Sequence, residues 1–184
     1  MRFISAIALT VLLASCGGGG GGGGAPPPPP ATIRATFTPA ATPGGAALLL
    51  SGPAGAQQGT IILDVIAQSL PAGTYGVAFD LDFNPALVQF NASQPGNFFE
   101  TGGVANYLFA TDPANAGKLI GAVSMVGASS GASGSGRVVS LRFNILNATG
   151  TSALSFGSNA AQNASGLPIS NVTWAAGTLQ LSRQ

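Results

Sequence analysis

The stretch from Tyr75 to Phe83 places Tyr75, Val77, Phe79, Leu81 and Phe83 on every second position and fills the gaps with Gly76, Ala78, Asp80 and Asp82. A period of two is the repeat of an extended strand with one buried and one solvated face. Asn84-Pro85 then ends the strand, because proline lacks the ladder donor and pushes the residue before it out of the helical region. Leu87, Val88 and Phe90 restart an apolar segment. A sheet has to be built around this strand.

The remaining chain offers partners for it. Thr32 to Thr38 alternates Ile33, Ala35 and Phe37 with polar residues and predicts a first strand, and Leu48 to Leu50 a short one. Thr60 to Ala67 is apolar nearly throughout, interrupted by Asp64, which predicts a strand covered on both faces or lying next to the sheet centre. Asn91 to Gly103 reads as a loop whose Phe98 and Phe99 fold back over the core edge, the alternative being an exposed contact patch. Val104 to Ala110 and Lys118 to Val126 read as a hairpin across Asp112-Pro113-Ala114-Asn115-Ala116-Gly117. Gly127 to Gly136, made of Ser, Ala and Gly alone, reads as a mobile loop. Arg137 to Leu146 returns to alternation, with Val139, Leu141, Phe143 and Ile145 on one side. Leu154 to Phe156 is a short strand, and Ile169 to Trp174 and Thr178 to Leu181 close the sheet. About nine or ten strands with turns between them, and no helical period, predict an all-β sandwich.

The ends carry a different kind of information. Arg2, the apolar run Phe3 to Leu13 and the small residues after it read as an export signal, too short to span a bilayer. Leu13-Ala14-Ser15-Cys16 has the form of a bacterial lipobox, so residues 1–15 are expected to be removed and Cys16 to be lipidated. Cys16 is the only cysteine, which rules out an intramolecular disulfide. Gly17 follows it where an aspartate would retain a Gram-negative lipoprotein in the inner membrane, so the outer membrane is expected. Residues 16–30 form a tether, flexible over Gly17 to Gly24 and stiffer over Pro26 to Pro30. Residues 31–184 make one domain, a length that buries about 68–70% of the unfolded surface.

Composition narrows the function. Charged residues are 6% of the chain, against roughly 25% in an ordinary domain. With one lysine and so few arginines no basic patch can form, which makes nucleic acid a poor candidate partner. The chain has no histidine, so imidazole acid–base chemistry and the usual zinc sets are absent, and lipidation consumes the one thiol. Asp80 and Asp82, two apart on one strand, stand about 6–7 Å apart by strand rise. That spacing suits a glycosidase pair, but outward charges that keep the strand from aggregating explain them better. No loop spacing supports a calcium site built from Asp64, Asp80, Asp82 or Asp112. We therefore expect no enzyme, no cofactor and no metal.

Phe83-Asn84-Pro85-Ala86-Leu87-Val88-Gln89-Phe90, following the alternating strand, resembles the signature of cohesin domains: an aromatic residue, Asp or Asn, Pro, and a Leu before a further apolar residue. Leu108-Phe109-Ala110, the Gly136 to Phe143 strand and the closing Gly177 to Leu181 follow in the family's order. The resemblance spans about Thr32 to Leu181 and implies jelly-roll connectivity. It also implies that one sandwich face binds a dockerin-like protein module through the strand before the turn. At the outward positions where the family carries Asn and Asp, this sequence has Gly76 and Ala78, which leaves a small-residue face with Asp80, Asp82 and Asn84 as polar handles. Related sandwiches bind polysaccharide on coplanar aromatics. For that alternative the candidates are Trp174 and Tyr107, since Tyr75 falls on the inward parity.

Overall fold

The computed structural model describes residues 31–127 and 130–184. The expected signal segment, the Cys16 lipidation site and the tether lie outside them. The strands are β1 Ile33–Pro39, β2 Ala47–Ser51, β3 Gln57–Gln58, β4 Thr60–Thr74, β5 Gly76–Asp82, β6 Val88–Pro95, β7 Val104–Asp112, β8 Asn115–Val126, β9 Ala132–Ile145, β10 Gly150–Gln162, β11 Thr173–Ala175 and β12 Gly177–Arg183, with a single 3-10 turn at Glu100–Gly102. They form two sheets, one of seven strands in the order β3-β1-β12-β10-β5-β8-β7 and one of five in the order β11-β2-β4-β9-β6. The all-β jelly-roll sandwich expected from the sequence is the observed architecture.

The organising strand β5 lies between β10 and β8, both antiparallel to it. Its alternation works as read: Val77, Phe79, Leu81 and Phe83 are buried, while Ala78, Asp80 and Asp82 are half-buried on the other face. Buried side chains of both sheets form one core, with Val77, Phe79, Leu81, Leu119, Leu179 and Leu181 from the first meeting Leu50, Ile61, Leu63, Val139, Leu141 and Phe143 from the second. Each such side chain contributes about 1.5–3 kcal/mol of burial. Phe83 and Phe143 meet edge to face across the sandwich at 5.2 Å.

β4 passes directly into β5, with Tyr75 alone between them. Tyr75 is clamped on both sides of its backbone: its N–H donates to the Gln162 carbonyl at 2.7 Å and its carbonyl accepts from Met125 at 2.9 Å. The first and last strands are neighbours. β1 pairs with β12 along its length, and Thr32 and Gln184 exchange backbone hydrogen bonds of 2.8 and 2.9 Å beyond it.

Several expectations need correction. β4 is central in its sheet, which is the second of its two expected readings, and the first fails because only one face is covered: Ile61, Leu63, Val65 and Ala67 are buried while Ile62 is 42% exposed. The loop expected from Asn91 is strand as far as Pro95, because β6 is an edge strand and tolerates a proline at its end. Residues 132–136, expected to be mobile, extend β9 and pair with Leu70 and Thr74 of β4. β10 runs thirteen residues where a short strand was expected; Ser, Ala and Gly fill its ladder positions and a bulge between Gly157 and Ala160 breaks its period. Of Ile169 to Trp174, only Thr173 and Trp174 lie in β11, which pairs parallel with β2.

Candidate protein-docking face

The outer face of β10-β5-β8-β7 is a slab of short side chains arranged in rows by the strand register. Ala160, Ala78, Ala122 and Leu108 form one row, and Gly157, Asp80, Ile120 and Ala110 the next. Ser155, Asp82 and Lys118 make a third. Alanine and glycine keep the surface flat, so the few longer side chains on it are exposed. Among the described residues six large apolar side chains are exposed, and four of them are here: Val104 at 69%, Leu108 at 64%, Val126 at 47% and Ile120 at 41%. Val104 stands opposite Val126, so the four lie on one hairpin.

This concentration follows from competition for the core. β7 carries apolar residues at both parities, and the larger rings of Tyr107 and Phe109 take the inward one. Val104 and Leu108 are left outside. In β8 the same competition buries Leu119, Val123 and Met125 and exposes Ile120 and Val126. Gly121 makes room for it, since a Cβ there would run into the ring of Phe109.

The polar centre of the face is an ion pair. Lys118 Nζ donates to Asp80 Oδ2 at 3.1 Å, the single salt bridge among the described residues. The hydrogen bond and charge of Asp80 hold the Lys118 ammonium above its ordinary value of 10.5. Asp82 lies beside this pair in the same row as Lys118, with Gly157 leaving the space next to its carboxylate open. Asp80 and Asp82 are thus brought together on one face, as their spacing predicts.

Asn84 sits two residues past β5, exposed, where its Oδ1 accepts the Ala86 N–H at 2.9 Å and its carbonyl accepts from Leu87 and Val88. Its side chain therefore shapes the Asn-Pro turn. Gly76 is buried, and a Cβ on it would meet the Val123 carbonyl, so it supplies no surface.

The two aromatic candidates for sugar binding face inward. Trp174 is half-buried and packs its ring on Phe156 at 5.3 Å and on Phe79 at 5.9 Å, tilted 67° and 53° to them. Tyr107 donates its hydroxyl to the Gly96 carbonyl at 2.9 Å, and burial, with Glu100 nearby, raises its pKa from 10.0. Phe98 and Phe99 are buried against each other edge to face, which makes the Pro95 to Gly103 connection a plug for the core, as read. Sequence reasoning missed Leu108, Ile120 and Lys118 as surface features. Both parities of β7 and β8 carry apolar residues, so no signal in the sequence alone assigns Leu108 and Ile120 outward.

No family model matches the chain, and no curated protein matches it significantly. Solved structures do. The second type II cohesin module of the adaptor ScaA scaffoldin of Acetivibrio cellulolyticus superposes with a TM-score of 0.58 at 13% identity, over 73% of this chain and 88% of that one. The sixth cohesin of scaffoldin B from the same organism, solved with a Cel5 dockerin, gives 0.54 at 18% identity over 72% and 97%. A non-cellulosomal cohesin from the archaeon Archaeoglobus fulgidus gives 0.51 at 14% over 78% and 88%. Residues 31–184 therefore have the cohesin fold.

Proposed function

We propose that this chain is a non-catalytic docking module of the cell envelope whose β10-β5-β8-β7 face takes a dockerin-like protein module. In this reading Cys16 is lipidated, residues 16–30 tether the domain to the outer membrane of a Gram-negative bacterium, and the face is turned to a protein beyond it. The observation that carries the proposal is the gathering of Val104, Leu108, Ile120 and Val126 on one flat sheet face around the Asp80–Lys118 pair. An apolar patch rimmed by a few polar groups is the pattern of a protein-binding surface. Cohesins of the same fold are solved with dockerins, which makes a compact protein module the natural occupant. The lack of histidine and the use of the Asp80 carboxylate in an ion pair support a role without catalysis.

The test is titration of the protein against a panel of dockerin modules, alongside retention on insoluble polysaccharides. Saturable dockerin binding that is lost in Leu108→Asp and in Asp80→Lys/Asp82→Lys, with the fold intact, supports the reading. Retention on polysaccharide that disappears in Trp174→Ala, with no dockerin bound, replaces it by the carbohydrate-binding alternative.

A further inference from the structure

A sheet edge presents unpaired N–H and C=O groups to any passing strand, and proteins blunt such edges with brevity, proline, bulges or charge. The two sheets here have four edges. β3 is two residues long and β11 three. β6 is longer but carries a bulge between Phe90 and Ala92 and ends on Pro95. β7 is nine residues long, contains no proline, and is regular as far as Thr111, with a register shift before Asp112, its one charge, at the far end. Among the described residues its backbone makes no hydrogen bond outside the β8 ladder. It is the one long edge left unprotected, and it carries the two most exposed apolar side chains of the face beside it.

We propose that β7 pairs antiparallel with β7 of a second copy of this chain, across a two-fold axis at Asn106. The occupant follows from self-complementarity. Centring the axis on Asn106 sets Val104 of each copy opposite Leu108 of the other, so the exposed apolar side chains meet as cross-strand pairs on the shared outer face, and the two Asn106 side chains face each other. Centring it on Leu108 pairs the two leucines but sets Val104 against Asp112, and centring it on Tyr107 sets Leu108 against Asn106, so neither gives both exposed side chains an apolar partner. With a net charge of +1 over the chain, two copies approach with little repulsion. A two-fold axis normal to the sheet turns both outer faces the same way, so the dimer carries two docking faces on one continuous surface. The pairing uses the edge of β7 and stands whether or not the face beside it binds a dockerin.

Residues opposite each other in antiparallel strands have Cα atoms about 4.5–5.5 Å apart, within reach of a disulfide. The test expresses the full chain in the envelope of a Gram-negative host with Asn106→Cys, oxidises it, and looks for a band at twice the monomer mass. The unsubstituted chain gives the Cys16 background, and Ala110→Cys, on the same strand but off the axis, is the control. The expected result is a strong dimer band for Asn106→Cys alone, lost when Val104→Lys and Leu108→Lys are added in a protein whose thermal unfolding is still cooperative. No band above background, a band only for Ala110→Cys, or a crosslink to a chain of different mass overturns the proposal.

Discussion

Lys118 stands in register with Asp82 but gives its hydrogen bond to Asp80, two residues earlier in β5, at 3.1 Å. The diagonal reach is within the span of a long side chain on adjacent strands. It leaves Asp82 the carboxylate of this sheet face without a salt-bridge partner among the described residues. Because the folded state binds the Lys118 proton more tightly than the unfolded state, the pair's contribution is complete below pH 10.5 and is lost as the pH rises through the higher folded value. Lys118→Met is expected to leave the neutral-pH denaturation midpoint almost unchanged, as surface pairs do, and to flatten the alkaline fall of stability. Denaturant titrations from pH 7 upward measure both.

Tyr107 titrates with the same sign for a different reason. Burial and then Glu100 disfavour its phenolate, so the unfolded chain ionises first and stability falls as the pH climbs past 10.0. Tyr107→Phe removes that slope but loses the hydrogen bond to Gly96, about 0.5–1.5 kcal/mol at neutral pH. The two stability–pH curves are therefore expected to converge at high pH.

Phe79 is the hub of the inner aromatic cluster, 1% exposed and in ring contact with Phe109, Phe156 and Trp174. Phe79→Ala is expected to cost about 3–5 kcal/mol. Trp174 is the single tryptophan, so its emission reports the loss directly, by a red shift in the folded variant and a lower unfolding midpoint.

Gly96 lies where the chain crosses from β6 toward β7. Its N–H donates to the Val138 carbonyl at 2.9 Å, and a Cβ on it would land on the backbone of Arg137. Gly96→Ala is expected to destabilise by about 1–3 kcal/mol through forced backbone movement. Gly44→Ala, where a Cβ meets nothing, is expected to be neutral. Thermal unfolding of the two variants side by side checks the contrast.

Much of the fold was legible because period-two alternation survives wherever large apolar residues define the inner face, as in β5, in the β7–β8 hairpin and at Val139, Leu141 and Phe143 of β9. It failed where alanine, serine and glycine fill the ladder: residues 132–136 and most of β10 are strands held by backbone pairing to neighbours distant in sequence. Asp80 and Asp82 were readable as outward because their own strand gave the parity. Leu108 and Ile120 were not, because both parities of their strands are apolar and only the three-dimensional space decides which set is buried. The ion pair was hidden as well, since Lys118 bonds across the register.

The placement of β12 between β1 and β10 has a kinetic side. Apart from two-residue β3, the first strand of the domain has no neighbour until the last one is in place. The ladder beside Ile33, Ala35 and Phe37 is therefore completed only when Leu179 and Leu181 arrive. Closing a loop of nearly the whole domain is slow, and it cannot happen while the chain is still being extruded C-terminus last. With this strand order β1 completes its pairing only after the last strand has been made, and a truncation just short of Gly177 leaves β1 without its main neighbour.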